Sequence, residues 1–278
     1  MNLEHELPLT KVRPPKRQAA FRLGELWAYR ELLYFLVWRD VKVRYKQAAL
    51  GAAWVILQPL LMVALFSLIF GPLLDVQTGG IPYPLFVFAG LLPWQIFATA
   101  LAQSANSLVA NQQLITKIYF PRLLLPLAAV LAGLVDFAVT IVLLVALMLW
   151  YGVGPSPTVL LLPLIVPIVL LTALSVGTWL SALNVRYRDV QHLVPFLTQF
   201  WFFATPIAYS STMLPESWRS LLGLNPMAGA VESFRWALFG THVEVGPIVV
   251  VSALVVVGLL VSGLTYFRLT ERTFADVV

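Results

Sequence analysis

The sequence predicts an all-α integral membrane protein. An N-terminal interfacial amphipathic helix precedes six transmembrane helices, with a re-entrant helical hairpin between the fifth and the sixth. Three observations predict this. Of the 278 residues, 60% are hydrophobic and only 11% charged, with a mean hydropathy of +0.86. A soluble domain is nearer half apolar and a quarter charged, and a disordered chain is poor in aromatics, so both a water-soluble enzyme and disorder are excluded. The apolar residues fall in long runs free of Asp, Glu, Lys and Arg, the first over residues 47–74 and the second over 76–116. The basic residues, finally, are placed asymmetrically between those runs.

Residues 1–20 contain no apolar run, so they are not a secretory signal peptide. Pro8, Pro14 and Pro15 among Lys11, Arg13, Lys16 and Arg17 read as a flexible cytoplasmic tail. Over 21–46, Leu23, Leu26, Trp27, Leu33, Tyr34, Val37 and Val41 recur at helical spacing and form one apolar stripe, interrupted by Arg30. Such a helix lies at the membrane interface, with Trp27 and Trp38 at headgroup depth and its basic residues in water.

The transmembrane domain occupies 47–267. At ~1.5 Å per residue a helix needs about 20 residues to cross a ~30 Å core, and each uncharged run supplies them. Gly71 and Pro72 end a first span at about 50–72, and the break at Gly79, Gly80, Pro82 and Pro84 sets a second at about 85–104. A polar stretch with Lys117 and Arg122 leads to a third at about 123–150. The turn Gly152, Gly154, Pro155, Pro157 precedes a fourth at about 159–183. The charged loop with Arg186, Arg188 and Asp189 precedes a fifth at about 193–209. A sixth covers about 245–267, and 268–278 is a second cytoplasmic tail. With both termini cytoplasmic, sixteen of the eighteen Lys and Arg lie inside, leaving only Arg219 and Arg235. That is the positive-inside pattern, and it accounts for the net charge of +5 without nucleic acid.

Residues 215–240 are neither loop nor span. Two short helical patterns flank Gly223-Leu224-Asn225-Pro226, the second with Asn225 as cap and Pro226 at its first position. Each is too short to cross, and residues such as Leu221, Met227 and Phe234 are too apolar for exposure, so together they form a hairpin dipping in from outside. Glu232 and Arg235, three apart, would pair on one face.

Soluble-enzyme motifs are absent. None of the five lysines follows a glycine, so there is no phosphate-binding loop, and no catalytic residue is assigned. His5, His192 and His242 lie far apart, so no metal site is expected. Asp136 is the one ionisable residue near the middle of a span, where it costs ~2.5–3.5 kcal/mol and must face protein or water. It either hydrogen-bonds a Ser, Thr or Arg of a neighbouring helix or belongs to a proton or ion path. A lone carboxylate without intramembrane polar partners favours the first. Ala173, Gly177 and Ser181 form a small-residue face in the fourth span. Trp94, Phe97, Trp201, Phe202, Phe203 and Tyr209 cluster toward the outer half or middle of their spans, where ring faces would let sugars slide; taken singly, each also fits an interfacial aromatic belt.

This order of elements resembles the membrane subunit of ABC-2 type transporters, in the polysaccharide-exporting branch of O-antigen (Wzm) and teichoic-acid (TagG) permeases. The matching pieces are RELLYFLVWRDVKVRYKQAALGAAWVILQPLLM at 30–62, FAGLLPWQIFATAL at 88–101 and NQQLITKIYFPRLLLP at 111–126. Further matches are LNVRYRDVQHLVPFLTQFWFFATPIAYS at 183–210 and NPMAGAVESFRWALFG at 225–240. The resemblance implies a homodimer in the bacterial inner membrane, joined by two copies of a nucleotide-binding ATPase that carries the ATP and Mg; this chain itself would hold no cofactor. It implies that the ATPase grips the interfacial helix and a coupling loop here containing Gln112, Lys117 and Arg122. It places Trp218, Glu232 and Arg235 at an outer gate. The implied cargo is a lipid-linked polysaccharide, of O-antigen, teichoic-acid or capsule type. Arg39, Lys42, Arg44 and Lys46 stand at a depth suited to its pyrophosphate head, and Trp94, Phe97, Trp201, Phe202 and Tyr209 are the expected glycan path. An ion-coupled transporter using Asp136 is the alternative class.

Overall fold

In the computed structural model, residues 23–46, 49–73, 78–240 and 245–274 are described. The expected N-terminal tail with His5, and His242, lie outside them. Among the described residues the chain is helical with no strand: α1 (Leu23–Ala28), α2 (Arg30–Lys46), α3 (Ala49–Leu73), α4 (Tyr83–Ala110), α5 (Gln112–Lys117) and α6 (Leu124–Trp150) come first. They are followed by α7 (Leu162–Arg186), α8 (Val190–Ala204), α9 (Glu216–Leu222), α10 (Pro226–Phe239) and α11 (Val245–Thr270).

Five of these, α3, α4, α6, α7 and α11, are long and apolar enough to cross a membrane. The helix in the fifth expected position has 15 residues and stops at Ala204, short of the expected 209. Its end has a local cause. Thr205 precedes Pro206, whose ring disfavours helical backbone at the residue before it, and Thr205 is extended at φ −103, ψ 135. The second expected span also shifts. The polar stretch after residue 104 continues α4 as helix to Ala110, because its side chains bond back to their own helix. Ser107 Oγ donates to the Ser104 carbonyl at 2.7 Å and Asn111 Nδ2 to the Ser107 carbonyl at 2.8 Å.

α4 is the central helix. Some 78% of its most apolar stretch is covered by protein, against 17% for α3. Apolar burial alone drives no association between helices in lipid, so close packing must come from small residues. Gly177 of α7 meets α4 where any Cβ would overlap Ser104, and Ala173 and Ser181 on the same face are fully buried. Gly263 of α11 does the same against the Ser175 carbonyl of α7, and Gly229 of α10 against Ser252 of α11. The predicted small-residue face is thus the α4–α7 contact.

A second, smaller apolar cluster closes the end of the bundle where α2 and α5 lie. It joins Leu36, Leu108, Ile115, Phe120, Leu124, Phe267 and Phe274. α2 packs on it through Leu32, Leu33, Leu36 and Val37. Trp27, Tyr34 and Trp38 point the other way and are exposed, so the expected single stripe divides into an aliphatic face toward protein and an aromatic face away from it.

Candidate functional site

α3, α4, α6 and α8 enclose a cleft of about 550 Å³. Ring faces form one part of its wall: Phe66 and Phe70 from α3, Trp94 from α4, Phe202 and Phe203 from α8. Phe202 is the hub, with its centroid 5.6 Å from Trp94, 5.9 Å from Phe66 and 5.4 Å from Phe203. Behind this wall Phe97 packs on Trp94 at 5.3 Å and on Trp201 at 5.0 Å. The other part is neutral and polar, with Gln58, Gln95, Thr99, Thr140, Thr198 and Gln199, plus the carboxylate of Asp136. Among the described residues, no Lys, Arg or His lines it. Ring faces beside amides and hydroxyls suit a ligand with C–H faces and many hydroxyl groups, and offer little to an anion. No group of His, Cys, Asp or Glu able to hold a metal occurs among the described residues.

Asp136, in the first half of α6, is held by the last turn of α2. Arg44 donates Nη1 to Asp136 Oδ2 and Nη2 to Gln103 Oε1 of α4, and Tyr45 donates its hydroxyl to Asp136 Oδ1. Both carboxylate oxygens are therefore engaged by residues about ninety positions away in the chain. Burial, and then the hydrogen bond to the carboxylate, push the Tyr45 phenol from 10.0 up to about 12.

At the opposite end of the bundle, Arg235 of α10 is 1% exposed. Its Nε donates to the Phe86 carbonyl at 3.2 Å, Nη1 to the Pro206 carbonyl at 2.7 Å and Nη2 to the Ile207 carbonyl. The guanidinium carbon lies 3.7 Å from the centroid of the Phe86 ring, and Gly90 provides the room, since a Cβ there would overlap it. Glu232 supplies the balancing charge at 3.8 Å and accepts from the Ser211 amide at 3.3 Å. Non-helical backbone after α8 leaves carbonyls without partners, and Arg235 satisfies two of them. Asn225 completes the arrangement. It caps α10 by accepting from the Met227 amide at 3.0 Å and from Trp201 Nε1 at 2.7 Å, and donates to Thr205 Oγ1 at 3.0 Å.

The sequence pattern of ABC-2 type transporters matches residues 31–239, which include all but the first residue of α2, the cleft and the buried arginine. The chain belongs to the ABC-2 type transporter family. Its similarity to the O-antigen export system permease protein RfbA of Myxococcus xanthus is 38% identity over 259 residues, covering 91% of this chain and 98% of the relative. The protein of the same name from Klebsiella pneumoniae is 32% identical, covering 93% and 98%. The polysialic acid transport protein KpsM of Escherichia coli is 27% identical, covering 84% and 91%.

In this ABC-2 chain the structure brings together four of the five aromatics expected on a glycan path. Trp94 and Phe202 line the cleft, with Phe97 and Trp201 supporting them from behind. Tyr209 stands apart, half-buried in the segment after α8. Of the expected lipid-head cations, Arg44 is engaged with Asp136 and Arg39 with Asp40 at 2.8 Å, while Lys42 and Lys46 are exposed. In the expected coupling loop, Gln112 and Lys117 are exposed on α5. Arg122 is tied down, its guanidinium on the Glu271 carbonyl and 6.0 Å from the Phe274 ring. At the expected outer gate, Trp218 is exposed, whereas Glu232 and Arg235 are sealed in the interior.

The polar rungs Gln58, Gln95 and Gln199 escaped sequence reasoning, although a signal was there. A side-chain amide inside an uncharged run must find a partner or water. Asp136's partner is not legible in the sequence, because Arg44 lies ninety-two residues away on a helix expected to keep its basic residues in water.

Proposed function

We propose that this chain is the membrane-spanning permease of an ABC exporter that moves a lipid-linked polysaccharide of O-antigen type across the bacterial inner membrane. Two copies form the path, and two copies of a separate ATPase subunit drive it. The reading rests on near-full-length similarity to O-antigen export permeases. A cleft lined, among the described residues, by rings, amides, hydroxyls and one carboxylate and by no cation is consistent with a sliding glycan. With α8 and the segment after it counted as a sixth crossing, both termini lie in the cytoplasm, since sixteen of the eighteen basic residues then fall on that side. The exposed surface of α5 and the residues just after it, with Gln112, Lys117 and Tyr119, is where the ATPase would dock. Lys42 and Lys46 are the cations open to a pyrophosphate head.

The test is deletion of the gene with glycan analysis, together with mild-detergent purification of the tagged chain. The expected outcome is loss of surface polysaccharide, its lipid-linked form retained inside, and a stoichiometric partner bearing a phosphate-loop lysine. Unchanged surface glycan, or a chain purified alone without ATP hydrolysis, overturns the proposal.

A further inference from the structure

We propose that the Arg44–Asp136 pair is the contact that transmits displacement of α2 to the wall of the transport cleft. This deepens the export reading and rests on it, because the force on α2 would come from the docked ATPase. The geometry carries the inference in four steps. Asp136 belongs to the face of α6 that forms the cleft, with Gly133 and Thr140 one turn to either side lining the same cavity. Its two oxygens are taken by Arg44 and Tyr45, consecutive residues in the last turn of α2. Arg44 reaches with its second nitrogen to Gln103, so the same side chain also holds α4, the neighbouring helix that lines the cleft beside α6. The rest of α2 meets the bundle through aliphatic contacts of Leu32, Leu33, Leu36 and Val37, which have no fixed direction and permit sliding. A forked guanidinium on a carboxylate is directional, so it determines where the end of α2 can pull.

Arg44 and Asp136 are thus positioning residues, and a hydrolysing complex with the pair broken would turn over ATP without moving cargo. Arg44→Asp and Asp136→Arg should each lower surface glycan at least about tenfold at equal membrane level, the size of an ordinary coupling energy. ATP hydrolysis by the purified complex should stay at the parent rate. The double variant carrying both substitutions restores the pair in reverse and should regain export. Because the chain lacks cysteine, a second test is available. Arg44→Cys with Asp136→Cys, joined by a short bifunctional reagent, should export better than the same pair left unjoined. Wild-type export by the single variants, ATPase lost in parallel with export, or no gain on joining would each overturn the proposal. If the parent complex itself carries no ATPase, the export reading fails first. An intact ATPase with export indifferent to the pair sinks the transmission reading alone.

Discussion

Two arginine–carboxylate pairs, one fully buried and one partly open, do different work in this molecule. Glu232 and Arg235 are neighbours on one helix, and both are 2% exposed at their side chains. Their direct contact is long, because the guanidinium faces three backbone carbonyls and the carboxylate mainly balances charge. Arg44 and Asp136 come from distant parts of the chain, contact one another directly, and remain about a fifth exposed at the edge of a cleft. The first pair is a pin that holds irregular backbone in place. The second is a joint between two elements. Nearness in sequence predicted the pin's partners but not its role, which depends on the carbonyls that α8 leaves open.

The largest expected effect breaks the pin. Arg235→Leu leaves the Glu232 carboxylate without its counter-charge and three backbone carbonyls without the guanidinium donor, and Glu232→Gln leaves the guanidinium uncompensated. Either should cost about 3–5 kcal/mol, seen as a large fall in unfolding midpoint of the detergent-solubilised protein. A midpoint within a degree of the parent would contradict the pin. Next, Gly90→Ala forces the guanidinium to move and should cost ~1–3 kcal/mol in the same assay, whereas alanine at Gly154, where nothing is nearby, should be neutral.

Asp136→Asn should cost about 1–3 kcal/mol at low salt. Because this pair is partly open, added salt should narrow its difference from the parent, while the Arg235 variants stay salt-insensitive. Equal salt response at both sites would erase the distinction. The smallest effect is expected from Tyr45→Phe, about 0.5–1.5 kcal/mol. The sign of its pH dependence follows from a folded-state pKa raised from 10.0 to about 12. The phenol's contribution is complete below 10.0 and lost as pH rises toward 12. The gap between Tyr45→Phe and the parent should therefore be flat at neutral pH and close only in strong alkali.

Much of the architecture was legible from residues 47–267. Long apolar runs located α3, α6, α7 and α11 to within a few residues, because a run that cannot leave lipid must be helical. The Asn225-Pro226 start of α10 was readable for the same kind of local reason, a cap and a fixed φ. The family and the small-residue face of α7 were legible too. The length of α4 was not, since serine and asparagine look like loop until their bonds to the preceding turn are seen.

What the sequence determined by itself is therefore whatever depends on the solvent each segment meets: lipid, interface or water. Tertiary structure alone decided which equally apolar helix is central, for α3 and α4 differ in burial far more than in composition. It also decided which of ten basic residues before α3 turns inward to Asp136. The physical reason is that hydropathy carries no information about neighbours in a medium as apolar as the side chains themselves. Only close approach at small residues, and hydrogen bonds between particular polar atoms, can choose one arrangement over another.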